Sequence, residues 1–232
     1  MTKQIGIVGW ADDSHFGVNK AYLKFINIYG KPIILLPGDS IRDDLDLLIL
    51  PGGPDIPYHT YTTGVPDYTL SKQCPYRDHF EEFLLPHYID KGVPVIGICR
   101  GHQSLAAMYG CEIEADIAKY HPKTPRDARY TKVHRLELSD RAIEIVGEQD
   151  KYHDLCDDER VYVEKVNSLH HQGVITETED YISLATSGSN HVYHEVMTHK
   201  SLPISSVQFH PEELDDDPIA DLLILRLLSW NM

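Results

Sequence analysis

Four stretches of this chain are almost entirely apolar: Ile5 to Gly9, Ile33 to Leu36, Leu47 to Leu50 and Val93 to Ile98. Unbroken apolar runs of this kind are expected of parallel strands covered on both faces. Between them, Val18 to Tyr29 and Tyr76 to Lys91 carry mixed faces and predict helices. A further helix is predicted over Pro218 to Trp230, where apolar residues recur at helical spacing after Asp215, Asp216 and Asp217, acidic residues that suit a helix start. This alternation predicts an α/β fold with a doubly wound, mostly parallel sheet. From Val133 onward the pattern changes to short β-rich runs: Val133 to Leu138, Ile143 to Val146, Val161 to Val166, Ile182 to Ala185 and Val192 to Met197. They predict an antiparallel extension of the same sheet. No Pro/Gly/Ser linker or repeat divides the chain, so residues 1–232 are read as a single domain.

The run from Val93 to Gln103 also carries the strongest chemical signal. It reads as a buried strand turning sharply into a helix with Cys99 at the corner, flanked two positions away by Gly97 and Gly101. Small neighbours are what a side chain pushed into such a turn requires. A thiol at a helix N-terminus feels the positive end of the helix dipole, which favours the reactive thiolate. The competing reading is an inert core cysteine at a strand end. A base is available downstream, where an apolar run ends in His210-Pro211-Glu212. Pro211 biases His210 toward extended backbone, in which residues two apart share a side, so Glu212 lies beside the imidazole. Cys99 is then the expected nucleophile, His210 the general base and acid, and Glu212 its orienter. The glycine pair Gly52-Gly53, after the run ending at Leu50, offers backbone N–H groups unobstructed by a Cβ. With the N–H of Arg100 they predict an oxyanion hole.

Charge and cysteine usage narrow the class. Lys and Arg total 21 against 36 Asp and Glu, a net charge of −15 with no basic run, so direct nucleic-acid binding is not expected. Cys74, Cys99, Cys111 and Cys156 show neither Cys-x-x-Cys spacing nor the density of a disulfide scaffold, which points to a reducing compartment. The chain opens straight into a strand pattern, and no apolar run approaches the roughly 20 residues that span a bilayer. A cytoplasmic protein without membrane contact is expected. Fourteen histidines raise the question of a metal. The closest sequence clusters are His191-x-x-His194 and His170-His171, whose members point to opposite faces of extended chain, and no His-Glu-x-x-His motif is present. No metal and no cofactor are expected; a P-loop and a dinucleotide fingerprint are both missing from the sequence.

Taken together, Gly97-x-Cys99-x-Gly101-x-Gln103, the Gly52-Gly53 loop and the late His210-Pro211-Glu212 resemble the class I glutamine amidotransferase superfamily. Arg100, the segment Tyr76 to Glu81 and the segment Val166 to Gly173 are similar to its γ-glutamyl hydrolase-like branch, typified by γ-glutamyl-γ-aminobutyrate hydrolase (peptidase C26-like). That branch usually shows Asn-Val and a glycine pair after the elbow helix, where this chain has Ala107-Met108-Tyr109-Gly110-Cys111. The resemblance implies a flavodoxin-like domain that cleaves a γ-glutamyl amide through a γ-glutamyl thioester. It also implies that Gln103, Ser168, His170, His171 and Gln172 bind the substrate. Arg77, Asp78 and Glu81, at helical spacing, read by themselves as a solvated ionic face; the resemblance makes them candidates for shaping the pocket. Two activities remain open: a hydrolase of a small γ-glutamyl substrate, and a glutaminase subunit feeding ammonia to a separate synthetase partner. A non-catalytic binding module is a third reading, and a homo-oligomer is a possible assembly.

Overall fold

The computed structural model describes residues 2–11, 14–57, 73–142, 156–157, 160–188, 192–215 and 217–230. The first half of the chain runs β1 (Gln4–Val8), β2 (Trp10–Ala11), β3 (Phe16–Gly17), α1 (Lys20–Ile26), β4 (Lys31–Leu35) and β5 (Leu47–Leu50). It continues with α2 (Pro75–His79), a π turn (Phe80–Leu84), α3 (Leu85–Asp90), β6 (Val95–Ile98) and α4 (Arg100–Met108). The rest comprises β7 (Ile113–Glu114), β8 (His134–Leu138), β9 (Cys156–Asp157), β10 (Arg160–Val166), β11 (Gly173–Val174), β12 (Tyr181–Ser187), β13 (Tyr193–His199), β14 (Ile204–Val207) and α5 (Pro218–Leu228).

Ten strands form one sheet in the order β4-β1-β5-β6-β14-β13-β12-β8-β10-β9. Its first five strands are parallel, and every pairing from β14 outward is antiparallel. Three of the four apolar runs, in β1, β5 and β6, are explained by cover on both faces; the fourth lies along the edge strand β4, where Ile34 and the adjoining Leu36 are exposed. Along β5, Leu47 and Ile49 face a core completed by Tyr22 and Phe25 of α1 and Leu223 and Leu227 of α5. Leu48 and Leu50 face a second core with Leu85 of α3 and Leu105 of α4. Asn19 and Asp217 cap α1 and α5, each accepting a backbone N–H through its side chain.

One expected helix changes, and one unexpected hairpin is added. The helix over Tyr76 to Lys91 is three segments, with a π turn just ahead of Pro86. Pro86 has no N–H to give to the carbonyl of Glu82, so the helical ladder widens at that point. The hairpin of β2 and β3 has only two residues in each strand, too short a run to leave a strand signal in the sequence. The run Ile143 to Val146 lies outside the described residues.

Candidate active site

Three neighbouring parallel strands deliver the three candidate catalytic elements. β5 ends at Leu50 and hands over to Pro51-Gly52-Gly53, β6 ends at Ile98 and hands over to Cys99, and β14 ends at Val207, three residues before His210. The register pairs Leu50 with Gly97 and Ile98 with Val207, which aligns these ends side by side. They lie at the carboxyl edge of the parallel strands, where open α/β sheets bind ligands.

Cys99 has φ 51° and ψ −102°, and is the only non-glycine with positive φ among the described residues. Such backbone costs of order 1–3 kcal/mol and persists only where its surroundings impose it. Here they do. The Cys99 N–H donates to the Val207 carbonyl at 2.9 Å, and a Cβ on Gly97 would meet the Gly101 carbonyl oxygen at 2.5 Å. A Cβ on Gly101 would collide with the backbone of Leu50. Both glycines are therefore required for α4 to start directly over β5, and the thiol is left 8% exposed on a cavity wall.

His210 is held from every side. Its Nδ1 lies 2.6 Å from Glu212 Oε1 and 3.4 Å from the Tyr22 hydroxyl. Its backbone is bracketed by Asn167, which accepts the His210 N–H at 2.8 Å and donates to the His210 carbonyl at 3.0 Å. Burial pushes the imidazolium down, but the charges of Glu212 and then Cys99 outweigh it and raise the His210 pKa to about 10. Tyr22 and Asn167 left no signal of this role in the sequence: the first stands in an ordinary amphipathic helix and the second in a loop.

The glycine loop corrects one expectation. The Gly52 N–H donates to the Tyr22 hydroxyl at 2.8 Å, and a Cβ on Gly52 would meet the His210 ring at 2.6 Å. Gly52 thus makes room for the base, and its N–H is already engaged. Arg77 fixes the next peptide: its Nη2 donates to the Pro51 carbonyl at 2.8 Å and its Nη1 to the Gly52 carbonyl at 3.3 Å. In a trans peptide the N–H points opposite to the carbonyl, so the Gly53 N–H is turned away from Arg77. Gly53 and Arg100 are the backbone donors left for an oxyanion.

Arg77, Asp78 and Glu81 are not the solvated face that their spacing suggests. Arg77 and the Arg100 side chain are fully buried around Glu81, with Nη2 to carboxylate distances of 2.6 Å and 2.9 Å. Arg100 also reaches Asp78 at 2.7 Å and donates to the carbonyls of Pro54 and Asp55 at 2.9 Å and 2.8 Å. Burial alone would raise the Glu81 carboxyl; Arg100 and then Arg77 hold it down to about 2. The network grips the Pro51 to Asp55 loop from behind, and of its members only Arg100 also lines the cavity at Cys99.

Two cavities meet at Cys99, of about 300 Å³ and 460 Å³, sharing Gly53, Arg129 and Leu169. His210 lines the smaller. Gln103, His170, His171 and Gln172 line the larger. The Gln103 amide also donates to Gln208 Oε1 at 3.2 Å, so Gln208 belongs to the same wall. Ser168 does not reach the cavity. It is fully buried and ties the chain to Thr124, receiving a hydrogen bond on its carbonyl at 2.7 Å and donating its N–H at 2.8 Å. Lys123, Arg126 and Arg129 also line the larger cavity, together with Asp55, whose Oδ2 stands 3.3 Å from His171 Nε2. These charges escaped notice because the segment has no periodicity and the chain is acidic as a whole.

Comparison with known proteins agrees with this architecture. The family model described as peptidase C26 matches residues 3–212. The glutamine amidotransferase-like protein YvdE of Lactococcus lactis is 27% identical over 229 residues, covering 90% of each chain. A subunit of the glutamine-hydrolyzing GMP synthase of Pyrococcus furiosus is 33% identical over 142 residues, 61% of this chain and 63% of its own. Among solved structures, a Thermoplasma acidophilum protein described as a GMP synthase subunit superposes with a TM-score of 0.60 at 18% identity, covering 99% of this chain and 94% of the other. The chain belongs to the peptidase C26 family, within the class I glutamine amidotransferase superfamily.

Proposed function

We propose that this protein is a cysteine hydrolase that cleaves a γ-glutamyl amide bond and releases glutamate and an amine. The observation that carries this reading is the convergence of Cys99, the His210–Glu212 pair and the Gly53 and Arg100 N–H groups at the ends of three adjacent strands. The Cys99 sulfur attacks the γ-carbonyl carbon while His210 holds the proton, and the carbonyl oxygen becomes an oxyanion facing the two N–H groups. Collapse of this intermediate breaks the C–N bond, and His210 passes its proton to the leaving nitrogen. Water, deprotonated by His210, then attacks the thioester and frees glutamate and the thiol. Glu212 holds Nδ1 throughout, so Nε2 is the nitrogen that trades the proton. Opposite charges in the larger cavity suit the free end of a γ-glutamyl group, with Lys123 and Arg126 for its α-carboxylate and Asp55 for its α-ammonium. Gln103, His170, His171 and Gln172 complete that wall. Free thiols at Cys74, Cys99 and Cys111 suit a cytoplasmic setting, and no helix among the described residues is long and apolar enough to cross a membrane.

Purified protein is expected to release glutamate from at least one γ-glutamyl amine or peptide faster than it releases ammonia from glutamine. The second reading, a glutaminase subunit serving a separate synthetase, is favoured by the likeness to one subunit of a glutamine-hydrolyzing GMP synthase. Inactivity alone, with glutaminase activity on adding a partner protein, would establish that reading and exclude the first.

A further inference from the structure

Histidines that the catalytic site does not use gather behind its wall. His121, in the turn that follows Ile117, His134 at the first position of β8 and Glu195 on β13 are all buried, and one ligand atom from each lies within 4.8 Å of the others. Glu195 Oε1 stands 3.6 Å from His121 Nε2 and 3.5 Å from His134 Nε2. Both separations exceed the roughly 2.7–3.2 Å of an N–H to oxygen hydrogen bond. They match the edge of a tetrahedron whose ligands stand about 2.0–2.2 Å from a central zinc ion, an edge of roughly 3.4 Å.

His170 adjoins this group, its ring centroid 4.8 Å from that of His121. Its Nδ1 lies 2.8 Å from the Gln172 carbonyl oxygen. A carbonyl only accepts, so Nδ1 carries the hydrogen and Nε2 the lone pair. A backbone carbonyl fixing one ring nitrogen is the usual support of a metal-binding imidazole. Five buried side-chain polar atoms here have no hydrogen-bond partner among the described residues: His121 Nε2, both ring nitrogens of His134, His170 Nε2 and Glu195 Oε2. Buried polar atoms are otherwise almost always paired, and a cluster of orphaned lone pairs around one carboxylate is what a cation satisfies.

We propose that His121, His134 and Glu195 bind one zinc-class divalent ion, with the His170 Nε2 lone pair at hand for the fourth position. The ion is structural. It ties the turn at His121 and strands β8 and β13 to the segment Asn167 to Gln172, whose first residue brackets His210 and whose last residues line the cavity.

The test uses the full chain, zinc ions and a readout independent of turnover. Elemental analysis of extensively dialysed protein should find about one zinc per chain. Adding zinc to chelator-treated protein, at about a hundredfold excess over Kd, should raise Tm by roughly 5–10 °C. Glu195→Gln keeps the shape of the side chain and should lose both the bound zinc and the Tm response. Cobalt added to the wild type should give the intense visible bands of a four-coordinate ion, which needs no variant to fold. No zinc response and no cobalt bands in the wild type, or responses unchanged in Glu195→Gln, would overturn the proposal and leave a metal-free His–Glu cluster.

Discussion

The parallel and antiparallel halves of the sheet carry their chemistry in different ways. In the parallel half, Cys99 follows β6 directly, Gly52 and Gly53 follow β5 within three residues, and His210 follows β14 at the third. Each group is positioned by the end of one strand, and the pairing of the strands supplies the rest. In the antiparallel half no strand end delivers a functional group alone. Glu195 lies inside β13, His134 opens β8, His121 stands in a turn, and they meet only because the sheet folds them together. Placement by a strand end tolerates change elsewhere, whereas placement by convergence depends on every contributing segment.

The largest expected effect is at the point where one strand end does everything. Cys99→Ala should lower turnover by on the order of 10⁴-fold or more while leaving Tm within a few degrees, because it removes the proposed nucleophile and no packing volume beyond one sulfur. Mass spectrometry after treatment with a γ-glutamyl electrophile should place the adduct on Cys99; an adduct on Cys74, Cys111 or Cys156 would refute the assignment.

His210 comes next. His210→Gln should cost about 10²–10⁴-fold in kcat, and Glu212→Gln less, since the base survives without its orienter. The same pair sets a pH signature. The folded pKa of His210, about 10, lies above its unfolded value of roughly 6.5, so its contribution to stability is full below that lower value and is lost as pH rises through the upper one. The Tm advantage of wild type over His210→Gln should therefore shrink between neutral pH and pH about 10. A constant difference across that range would show that His210 is not held as a cation.

The same contrast explains what the sequence revealed. The apolar runs identified β1, β5 and β6 because these parallel strands are covered on both faces, whereas the edge strand β4 keeps its apolar run with Ile34 and the adjoining Leu36 exposed. The Gly97-Cys99-Gly101 spacing identified the elbow because one steric demand acts within five consecutive positions. Gly52 is less legible for a related reason: a glycine announces that a Cβ is excluded, not which neighbour excludes it, and here that neighbour is the distant His210. Arg77, Asp78 and Glu81 read as a surface because helical spacing is the same for exposed and buried ion pairs; only the loop carbonyls that Arg77 and its partner Arg100 grip distinguish the two. The His121, His134 and Glu195 group has no local spacing at all, and attention to His170-His171 and His191-x-x-His194 could not reach it.

The buried ionic network offers an intermediate effect and a way to break the comparison, because it supports a strand-end loop by convergence. Glu81→Gln leaves two guanidiniums sharing less negative charge in a dry site. Breaking a buried pair of this kind costs about 3–5 kcal/mol, which corresponds to a fall of roughly 6–20 °C in Tm for a chain of this size. Activity should fall about 10- to 100-fold, carried by kcat, since the peptide that aims the Gly53 N–H loses its brace. A stable variant with normal kcat would mean that the loop holds its own shape.

The smallest effect is expected at the rim of the larger cavity, on the segment between the two halves. Arg126 is exposed and lines that cavity beside Lys123. A partly exposed charge pair with a substrate carboxylate contributes about 1 kcal/mol, so Arg126→Gln should raise KM about fivefold with kcat within about twofold. Because the chain carries a net charge of −15, the local positive rim works against the surrounding field and should be sensitive to salt. Moving from low ionic strength to about 0.15 M shortens the screening length to about 8 Å and should narrow the KM gap between wild type and variant. A fall in kcat at unchanged KM would place Arg126 among the groups that set the reaction geometry, and a KM identical to wild type at low salt would remove it from the substrate site altogether.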